Sequence, residues 1–343
     1  MAQGKLGFGF MRLPVIDGVQ ENIDMEQLKQ MVDEFLGNGF TYFDTSYAYH
    51  NGKSEEALRK SVVERYPRDQ FTIATKLPTF LIQTEDQVED IFAQQLKNLG
   101  TDYVDYYLLH AMMEGGYKKY DKFHLWDFVG EQKAKGLVKH MGFSFHAGPQ
   151  LLDRLLKEHP EVDFVQLQIN YADWENPSVT ARANYEVARK HGKSIVIMEP
   201  VKGGNLANPP AAVKRLFDGY HPDMSYASWA IRFVASLDGI ITVLSGMSNT
   251  QQMEDNLSYM KKFQPLNEAE QKIIQEAQRI LGNSSTIPCT ACHYCTEGCP
   301  KKIPIPEIFS AMNKQLGNGQ MAEAVSDYRK ATSLAGKASE CIN

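Results

Sequence analysis

The stretch T-Y-F-D-T-S-Y-A-Y-H, Thr41–His50, joins an apolar run to a cluster of polar and aromatic side chains. The apolar run ends at Asp44, and Tyr49 follows shortly after it. Two later runs end in the same way, F-T-I-A-T-K at Lys76 and Y-V-D-Y-Y-L-L-H at His110. Polar residues at the carboxyl ends of successive parallel strands are typical of the functional face of a (β/α)8 TIM barrel. The stretch therefore predicts that fold, with these four side chains at one end of it.

Short β-branched and aromatic runs alternate with segments of helical periodicity along most of the chain. Periodicity and glycine stops predict strands at 6–11, 40–44, 71–76, 103–110, 138–143, 164–170, 194–199 and 240–245. They predict helices at 24–36, 84–99, 123–135, 149–157, 179–191, 224–235, 250–261 and 267–281. This order favours a closed parallel barrel with an outer ring of helices. An open doubly wound sheet is the alternative, but the G-x-G-x-x-G turn of its dinucleotide-binding version is missing.

Composition places the chain among ordinary globular proteins, with 43% hydrophobic and 23% charged residues. The formal net charge of -6 provides no basic face for nucleic acid. No apolar run approaches the roughly 18 residues of a membrane helix. The first residues lack the layout of a signal peptide. We therefore expect a cytoplasmic protein with neither a nucleic-acid nor a membrane partner.

The cysteines are concentrated near the carboxyl end, since all 5 follow residue 288. The cluster N-S-S-T-I-P precedes them and is typical of a linker. We therefore predict two domains, a barrel at 1–282 and a small domain at 283–343, with helices at 307–316 and 321–334. Clustered cysteines without an export signal favour metal or cluster binding over disulfides.

Four of the cysteines follow the spacing C-x2-C-x2-C-x3-C-P, at Cys289, Cys292, Cys295 and Cys299. This spacing is typical of bacterial ferredoxins, in which the fourth cysteine of a run ligates the other of two clusters. It predicts a ferredoxin-like domain with a [4Fe-4S] cluster. A zinc site is the alternative, but it normally uses cysteine pairs separated by about a dozen residues or more. The segment A-S-E-C-I-N resembles the start of a second run, so we expect a truncated second motif, or a single cluster completed by Cys299 or Cys341.

The chain resembles the aldo-keto reductases over residues 5–280, in unbroken order. The motifs that carry this resemblance are D-T-S-Y-A-Y at 44–49, S-E-E-A-L-R-K at 54–60, T-K-L at 75–77, Y-Y-L-L-H at 106–110, G-F-S-F-H at 142–146, V-Q-L-Q-I-N at 165–170, E-P-V-K-G-G at 199–204 and S-G-M-S-N-T-Q-Q-M-E-D-N at 245–256. The cysteine run further resembles a subset of this family that has a ferredoxin-like tail.

The resemblance implies a catalytic tetrad. Tyr49 would be the general acid or base, Lys76 and Asp44 would tune it, and His110 would orient the substrate. The chemistry is consistent, because a nearby cation can lower the pKa of a tyrosine from about 10 and a carboxylate can hold that cation. Composition alone leaves alternatives open: Tyr47 competes with Tyr49, and each residue taken singly has an ordinary structural interpretation.

The resemblance also implies an NAD(P)H site. Ser144 and Gln166 would hold the nicotinamide carboxamide, with Asn170 nearby, and Met198 takes the position of an aromatic residue that stacks on the nicotinamide in many members. Gly203 and Gly204 would approach the pyrophosphate. The segment around the adenosine would include Gly246, Ser248, Gln252 and Asn256. Members that prefer NADP often carry a cation in that last segment. No cation lies between Ser245 and Asn256 here, which favours NAD slightly.

Together these patterns predict an oxidoreductase that moves hydride between a nicotinamide and a small carbonyl or alcohol. The cysteine tail implies exchange of electrons with a protein partner, or a purely structural cluster. The alternatives are a non-catalytic, nucleotide-binding redox sensor and a ferredoxin-linked reductase.

Overall fold

The computed structural model describes residues 4–282, 287, 289–291, 294–297 and 299–342. Within them, parallel strands form a closed barrel in the order β1 to β8, and β1 pairs with β8 through Leu6 and Val243. The strands are β1 (Leu6–Gly9), β2 (Tyr42–Asp44), β3 (Thr72–Leu77), β4 (Val104–Met112), β5 (Val138–Phe145), β6 (Phe164–Gln168), β7 (Ser194–Met198) and β8 (Ile240–Ser245). The predicted barrel is confirmed, and the open sheet is excluded.

Helices follow the strands around the barrel and continue into the carboxyl-terminal part. They are α1 (Met25–Gly37), α2 (Ser54–Leu58), α3 (Gln87–Leu99), α4 (Lys118–Lys122), α5 (Leu125–Ala134), α6 (Pro149–Glu158), α7 (Ala181–Lys190), α8 (Ala211–Asp218), α9 (Tyr226–Ala235), α10 (Thr250–Met260), α11 (Glu268–Gly282), α12 (Tyr294–Glu297), α13 (Ile305–Asn318) and α14 (Met321–Ala331). Periodicity did not predict α2, α4, α8 or α12, which have 8 residues or fewer, short of the window over which helical periodicity is read.

Helix ends follow local chemistry. The Asp24 side chain accepts the Gln27 N–H at 3.0 Å and caps the start of α1. At the end of α3, Gly100 adopts a left-handed φ of 66°, as the predicted glycine stop requires. A π-helical turn, Arg59–Val63, continues α2, and 310 turns lie at Phe10–Arg12, Tyr49–Gly52, Arg68–Gln70, Lys202–Ala207 and Ala338–Glu340.

The interior of the barrel is filled by side chains from successive strands. One buried cluster consists of Tyr42, Ala74, Leu108, Phe164, Val196 and Leu244. Such layers make the barrel a packed core rather than a pore. Gly142 on β5 belongs to this packing, because a Cβ there would lie 2.6 Å from the ring of Phe164. The rigid strands then hold their carboxyl ends at fixed positions.

The chain divides into two compact units. One comprises Met1–Pro200 and Ile231–Leu266 and contains all eight barrel strands named above. The other comprises Val201–Ala230 and Asn267–Asn343. In the second unit the Trp229 ring stacks on Phe217 at 4.6 Å, and α13 ends at Gly319 with a left-handed φ of 68°. The predicted domain boundary near residue 283 stays a prediction. No helix in the described ranges is long and apolar enough to cross a membrane.

Candidate active site

The four side chains predicted from strand ends all lie at the carboxyl-terminal end of the barrel. Asp44 is the last residue of β2, Lys76 lies one residue before the end of β3, and His110 lies near the end of β4. Tyr49 lies in the 310 turn that follows β2. Parallel strands in register bring these positions to one face, which is the face where barrels of this type place their chemistry.

Lys76 and Asp44 form a buried ion pair. The Lys76 Nζ atom lies 2.6 Å from Asp44 Oδ1 and donates a second hydrogen bond to the Thr45 carbonyl at 2.8 Å. The side-chain exposures are 0% for Lys76 and 4% for Asp44. Burial raises the pKa of the Asp44 carboxyl, and the Lys76 ammonium opposes that rise. The pair therefore places a desolvated cation, oriented by a carboxylate, inside the barrel end.

Tyr49 lies beside this cation. The Lys76 Nζ atom is 4.9 Å from the centroid of the Tyr49 ring, within the range of a cation–π contact. Tyr49 also meets His110 edge to face, with ring centroids 6.0 Å apart at 79°. Tyr49 is half-buried. A tyrosine that lies close to both an ammonium and an imidazole is well placed for proton transfer.

The backbone around His110 is bent by a bulge. The register between β4 and β5 shifts between Leu109 and Met112, and Ala111 has a left-handed φ of 56°. The Ala111 N–H donates to Ser144 Oγ at 2.8 Å, which holds the bend. Bulges of this kind re-aim a side chain at the rim of a barrel. Here the bulge sets the direction of the imidazole.

The His110 ring is buried and is held by a hydroxyl group. Ser46 Oγ lies 3.2 Å from Nδ1, and the His110 carbonyl accepts the hydroxyls of Thr79 and Tyr120, both at 2.7 Å. The pKa of His110 lies well below its usual value. Burial is the largest cause, and electrostatic interactions with Lys76 and with nearby His146 lower the pKa further. The ring is therefore a neutral hydrogen-bonding group near neutral pH.

A buried polar network that was not predicted from the sequence binds the main chain of Lys76. The buried Glu55 carboxylate accepts Thr75 Oγ1 at 2.8 Å and Gln95 Nε2 at 2.7 Å. Gln95 Nε2 also donates to the Lys76 carbonyl at 3.0 Å. Burial raises the pKa of Glu55, and hydrogen bonds from Asn98, Gln95 and Thr75 oppose the rise. Glu55 belongs to the quoted S-E-E-A-L-R-K motif, so the motif gave a signal, but α2 was not recognised and its burial was missed.

An aromatic side chain also borders the site without having been predicted. Phe80 follows β3, its ring centroid lies 5.7 Å from that of His110, and it is 42% exposed. A large exposed apolar side chain beside a buried polar group is suited to contact with an apolar ligand. A lone phenylalanine after a strand carries no sequence signal of such a role.

Among the predicted cofactor residues, Gln166 has an open hydrogen-bonding position. Its Nε2 atom lies 3.6 Å from Met198 Sδ, and its buried Oε1 atom has no hydrogen-bond partner in the described part of the chain. Ser144 accepts the Ala111 N–H, which leaves its hydroxyl hydrogen to donate. A buried unsatisfied amide oxygen is uncommon and fits a donor supplied by a ligand.

Asn170 and Asn256 are instead bonded within the protein. Asn170 Nδ2 donates to Asp173 Oδ2 at 2.9 Å, and its Oδ1 accepts the Asp173 N–H at 2.9 Å. Asn256 Nδ2 donates to the Gln252 carbonyl at 2.6 Å, and Asn256 Oδ1 accepts the Tyr259 hydroxyl at 2.8 Å. These amides hold the local backbone, so their predicted nucleotide contacts stay predictions.

The segment after β8 forms a turn that leads into α10. Gly246 is exposed, and Ser248 Oγ donates to the Arg12 carbonyl at 2.8 Å. The Ser248 N–H donates to Gln252 Oε1 at 2.7 Å, and Asn249 caps the helix by accepting the Gln252 N–H at 2.9 Å. The turn therefore presents the start of a helix at the carboxyl-terminal end of the barrel.

In the second unit, the 310 turn Lys202–Ala207 contains the two predicted pyrophosphate glycines. Both have positive φ, 64° at Gly203 and 97° at Gly204. A Cβ on Gly203 would lie 2.2 Å from the Thr290 carbonyl oxygen, whereas no described heavy atom lies within 4 Å of the Cβ position on Gly204. Asn205 Nδ2 donates to the Cys289 carbonyl at 3.1 Å. Of these two glycines, Gly204 is the one whose Cβ position is clear of the described residues.

The cysteine run is described in part. The Ala291 N–H donates to Cys289 Sγ and the Ile303 N–H to Cys299 Sγ, both at 3.4 Å, and Cys295 is exposed. Cys292 lies outside the described residues. No group of three or more His, Cys, Asp or Glu side chains within the described ranges is close enough together to hold a metal ion.

Comparison with known proteins assigns the barrel to a family. A family model described as Aldo/keto reductase family matches residues 5–279. An aldo-keto reductase of Mycolicibacterium vanbaalenii is 30% identical over 250 residues, which cover 71% of this chain and 82% of the relative. The uncharacterized oxidoreductase YqkF of Bacillus subtilis is 22% identical, with 74% and 86% covered.

Solved structures agree on the fold. The holo form of an aldo-keto reductase from Bacillus halodurans superposes with a TM-score of 0.63 at 23% identity, covering 79% of this chain and 91% of that one. An aldo-keto reductase from Klebsiella pneumoniae in complex with NADPH gives a TM-score of 0.63 at 16% identity, with 80% and 90% covered. The family match and the Mycolicibacterium relative show that this chain belongs to the aldo/keto reductase family of NAD(P)-dependent oxidoreductases.

Proposed function

We propose that the chain reduces a small carbonyl compound, or oxidises the corresponding alcohol, with Tyr49, Lys76, Asp44 and His110 as its catalytic residues. The observation that carries this proposal is the buried Lys76–Asp44 pair at 2.6 Å, with the Lys76 ammonium 4.9 Å from the Tyr49 ring centroid. A bound nicotinamide supplies the hydride that reaches the carbonyl carbon. The protein must then supply a proton to the carbonyl oxygen and hold that oxygen in place.

Tyr49 is the proton donor in this proposal. As the carbonyl oxygen becomes an alkoxide, it takes the phenolic proton, and the phenolate that remains lies beside the Lys76 ammonium. Asp44 holds the ammonium by charge and hydrogen bond, so the cation does not need to reorganise during the reaction. The reverse reaction uses the same groups, with Tyr49 as the base.

His110 orients the carbonyl oxygen. Its ring is neutral because burial and Lys76 oppose protonation. The Ser46 hydroxyl can donate to Nδ1, and the matching tautomer carries its hydrogen on Nε2, which can donate to a substrate oxygen. Phe80 beside the imidazole favours a substrate with an apolar group next to its carbonyl.

We propose that NAD(P)H binds with its carboxamide at Ser144 and Gln166. The unpaired Gln166 Oε1 supports this placement, because the carboxamide has an N–H that it can accept. Met198 would lie against the nicotinamide ring through its thioether. The turn at Gly246 and Ser248 would meet the adenosine end of the nucleotide. The preference between NAD and NADP belongs to the same proposal and is tested by measuring both nucleotides.

The proposed function is tested with a panel of aldehydes and ketones and with both reduced nucleotides. Tyr49→Phe should lower kcat by about 10²- to 10⁴-fold, the usual effect of losing a general acid. Its nucleotide Kd, measured by fluorescence titration, should stay unchanged. Tyr47→Phe is the matched control, since Tyr47 lies in the same segment and is also half-buried. Equal effects of the two substitutions would refute the assignment.

We further propose that Cys289, Cys292, Cys295 and Cys299 bind a [4Fe-4S] cluster. Their spacing supports this, and so do the N–H groups that donate to Cys289 Sγ and Cys299 Sγ, because such bonds stabilise thiolates and tune clusters. A cluster would supply one-electron transfer, with a small electron-transfer protein as partner, or would order the tail.

The cluster is tested by anaerobic purification, iron and sulfide analysis and visible absorption spectroscopy. Cys295→Ser should remove the cluster, and Cys341→Ser, outside the run, should retain it. Loss on Cys341→Ser would instead make Cys341 the fourth ligand. A protein that contains zinc, or no iron after anaerobic reconstitution, would overturn the cluster proposal and leave the hydride chemistry standing.

A further inference from the structure

His50 directly follows the proposed acid Tyr49 and has an unusual backbone. His50 and Asn51 both have left-handed conformations, with φ of 53° and 51°. Residues other than glycine rarely adopt this region unless the surroundings hold them in it. Two such residues in succession indicate that neighbouring structure holds this turn. The side chain of His50, which is only 6% exposed, shows what holds it.

Both ring nitrogens of His50 bind the main chain of a distant segment. Nε2 accepts the Leu13 N–H at 3.2 Å, and Nδ1 lies 2.7 Å from the Gln20 carbonyl oxygen. A carbonyl can only accept, so Nδ1 carries the hydrogen, and Nε2 needs its lone pair. Only the neutral ring with hydrogen on Nδ1 satisfies both bonds. Asn51 adds a third link, because its Nδ2 donates to the Glu21 carboxylate.

The segment held in this way is 13–24, between β1 and α1. It folds back on itself through a bridge between Val15 and Ile23 and through the Asp24 N–H, which donates to the Pro14 carbonyl at 2.9 Å. Because it follows β1 as Tyr49 follows β2, it leaves the barrel at the same end. The imidazole thus joins two neighbouring loops at the face that carries the proposed chemistry.

We propose that His50 is a positioning residue of the reaction: its neutral imidazole locks segment 13–24 onto the turn that carries Tyr49 and thereby fixes the direction of the Tyr49 phenol. This inference rests on the proposed role of Tyr49 as the acid. His50 itself does not transfer a proton in it. His50 is linked to segment 13–24 by the hydrogen bonds of its ring to the Leu13 and Gln20 main chain, and it is linked to Tyr49 as its direct neighbour in the sequence.

The lock depends on pH in a defined direction. An imidazolium would place Nε2–H against the Leu13 N–H, so protonation breaks that bond. Burial lowers the pKa of His50. The hydrogen bond to the Gln20 carbonyl and the charge of Glu21 oppose this decrease, and Glu21 is the charged group among the described residues that acts on the ring. Because the folded pKa is lowered, the stabilisation is complete above about pH 6.5 and is lost as pH falls below it.

The test compares His50→Leu, His50→Asn and His50→Gln with Glu21→Gln, which removes a charge near the ring and weakens the Asn51 link but keeps both hydrogen bonds of the His50 ring. Measured quantities are kcat, KM, nucleotide Kd and the pH profile of kcat with one aldehyde. His50→Leu should lower kcat about 100-fold, as expected for a reacting group misplaced by about 1 Å. Nucleotide Kd should not change. His50→Asn can keep the donor to Gln20 and His50→Gln an acceptor for Leu13, so both should recover part of kcat.

The pH profile separates positioning from a merely structural role. In the wild type, kcat should fall at a pH below about 6.5, the ordinary pKa of a histidine, because the pKa of folded His50 is lowered. In His50→Gln the decrease in kcat should occur at a lower pH than in the wild type. Other groups titrate there, such as His146, because burial lowers the pKa of His146 to about 4. An unchanged acid limb and unchanged kcat in His50→Asn and His50→Gln would overturn the inference, even if His50→Leu does not fold. Tyr49→Phe, measured alongside, reports separately on the proposed function.

Discussion

Lys76→Met gives a sharp test of the buried ion pair, because it removes the cation and keeps most of the side-chain volume. Asp44, whose side chain is 4% exposed, loses its partner at 2.6 Å, and the Thr45 carbonyl loses a donor at 2.8 Å. Removing one member of a buried pair usually costs about 3–5 kcal/mol. We expect a decrease of that size in the free energy of unfolding at pH 7, measured by urea denaturation.

The sign of the pH dependence follows from Asp44. Burial already raises the pKa of its carboxyl, and Lys76 opposes that rise. Without the cation the folded state therefore binds a proton more readily than the unfolded state, so the stability of the variant should improve as pH falls from neutral toward about 4, the ordinary pKa of an aspartate. Each unit of pKa difference corresponds to about 1.4 kcal/mol. The deficit relative to wild type should accordingly be smaller at pH 5.

The double variant Asp44→Asn/Lys76→Met removes the charge together with its partner. It should recover more than half of the lost stability, because a neutral amide is less costly to bury than a carboxylate. Carbonyl reduction should stay lost in both variants. A single variant as stable as wild type, or a double variant less stable than the single one, would refute the role of this pair.

Two further substitutions test the packing and the cofactor site. Gly142→Ala should destabilise the barrel by about 1–3 kcal/mol, because its Cβ would lie 2.6 Å from the Phe164 ring. Gly130→Ala is the control: Gly130 is a half-buried residue of α5 with no described atom within 4 Å of its Cβ position, so the change should be neutral or stabilising in the same urea assay. Gln166→Leu should weaken nucleotide binding about 10-fold at unchanged stability, since a partner of the carboxamide is lost; an unchanged Kd by fluorescence titration would remove Gln166 from the site.

The sequence predicts the barrel and the location of the tetrad for one physical reason. Parallel strands end at one face, so the residues Asp44, Lys76 and His110 that terminate apolar runs must gather there. Tyr49 needed the family motif, because Tyr47 fits the composition equally well. The contact with Lys76 at 4.9 Å now gives Tyr49 a geometric basis.

Other features lie beyond sequence patterns because they depend on distant contacts. The bulge at Ala111 comes from a residue without conformational preference for left-handed φ, held by Ser144 from the next strand. Glu55 is buried because Gln95, far along the chain, supplies its donor. His50 looks like an ordinary polar loop residue until the two main-chain groups that its ring binds are seen. Each is fixed by tertiary structure rather than by local periodicity.

The carboxyl end of β4 differs slightly from its predicted position, and the difference affects the site. The apolar run predicted a strand that ends at His110, whereas β4 continues to Met112 past the bulge. One of the two extra residues, Ala111, carries the backbone N–H that donates to Ser144 Oγ. The residues after His110 therefore also contribute to the geometry of the site.

The central claim is that hydride passes from the nicotinamide to a carbonyl carbon while Tyr49 supplies the proton. The test is to reduce an aldehyde with a reduced nicotinamide nucleotide that carries deuterium in both positions at C4. The alcohol is then analysed by mass spectrometry and NMR. We expect one deuterium on the carbinol carbon with either normal or heavy water as solvent, and loss of this transfer in Tyr49→Phe. Carbinol hydrogen taken from solvent, or transfer that survives Tyr49→Phe at the wild-type rate, would contradict it.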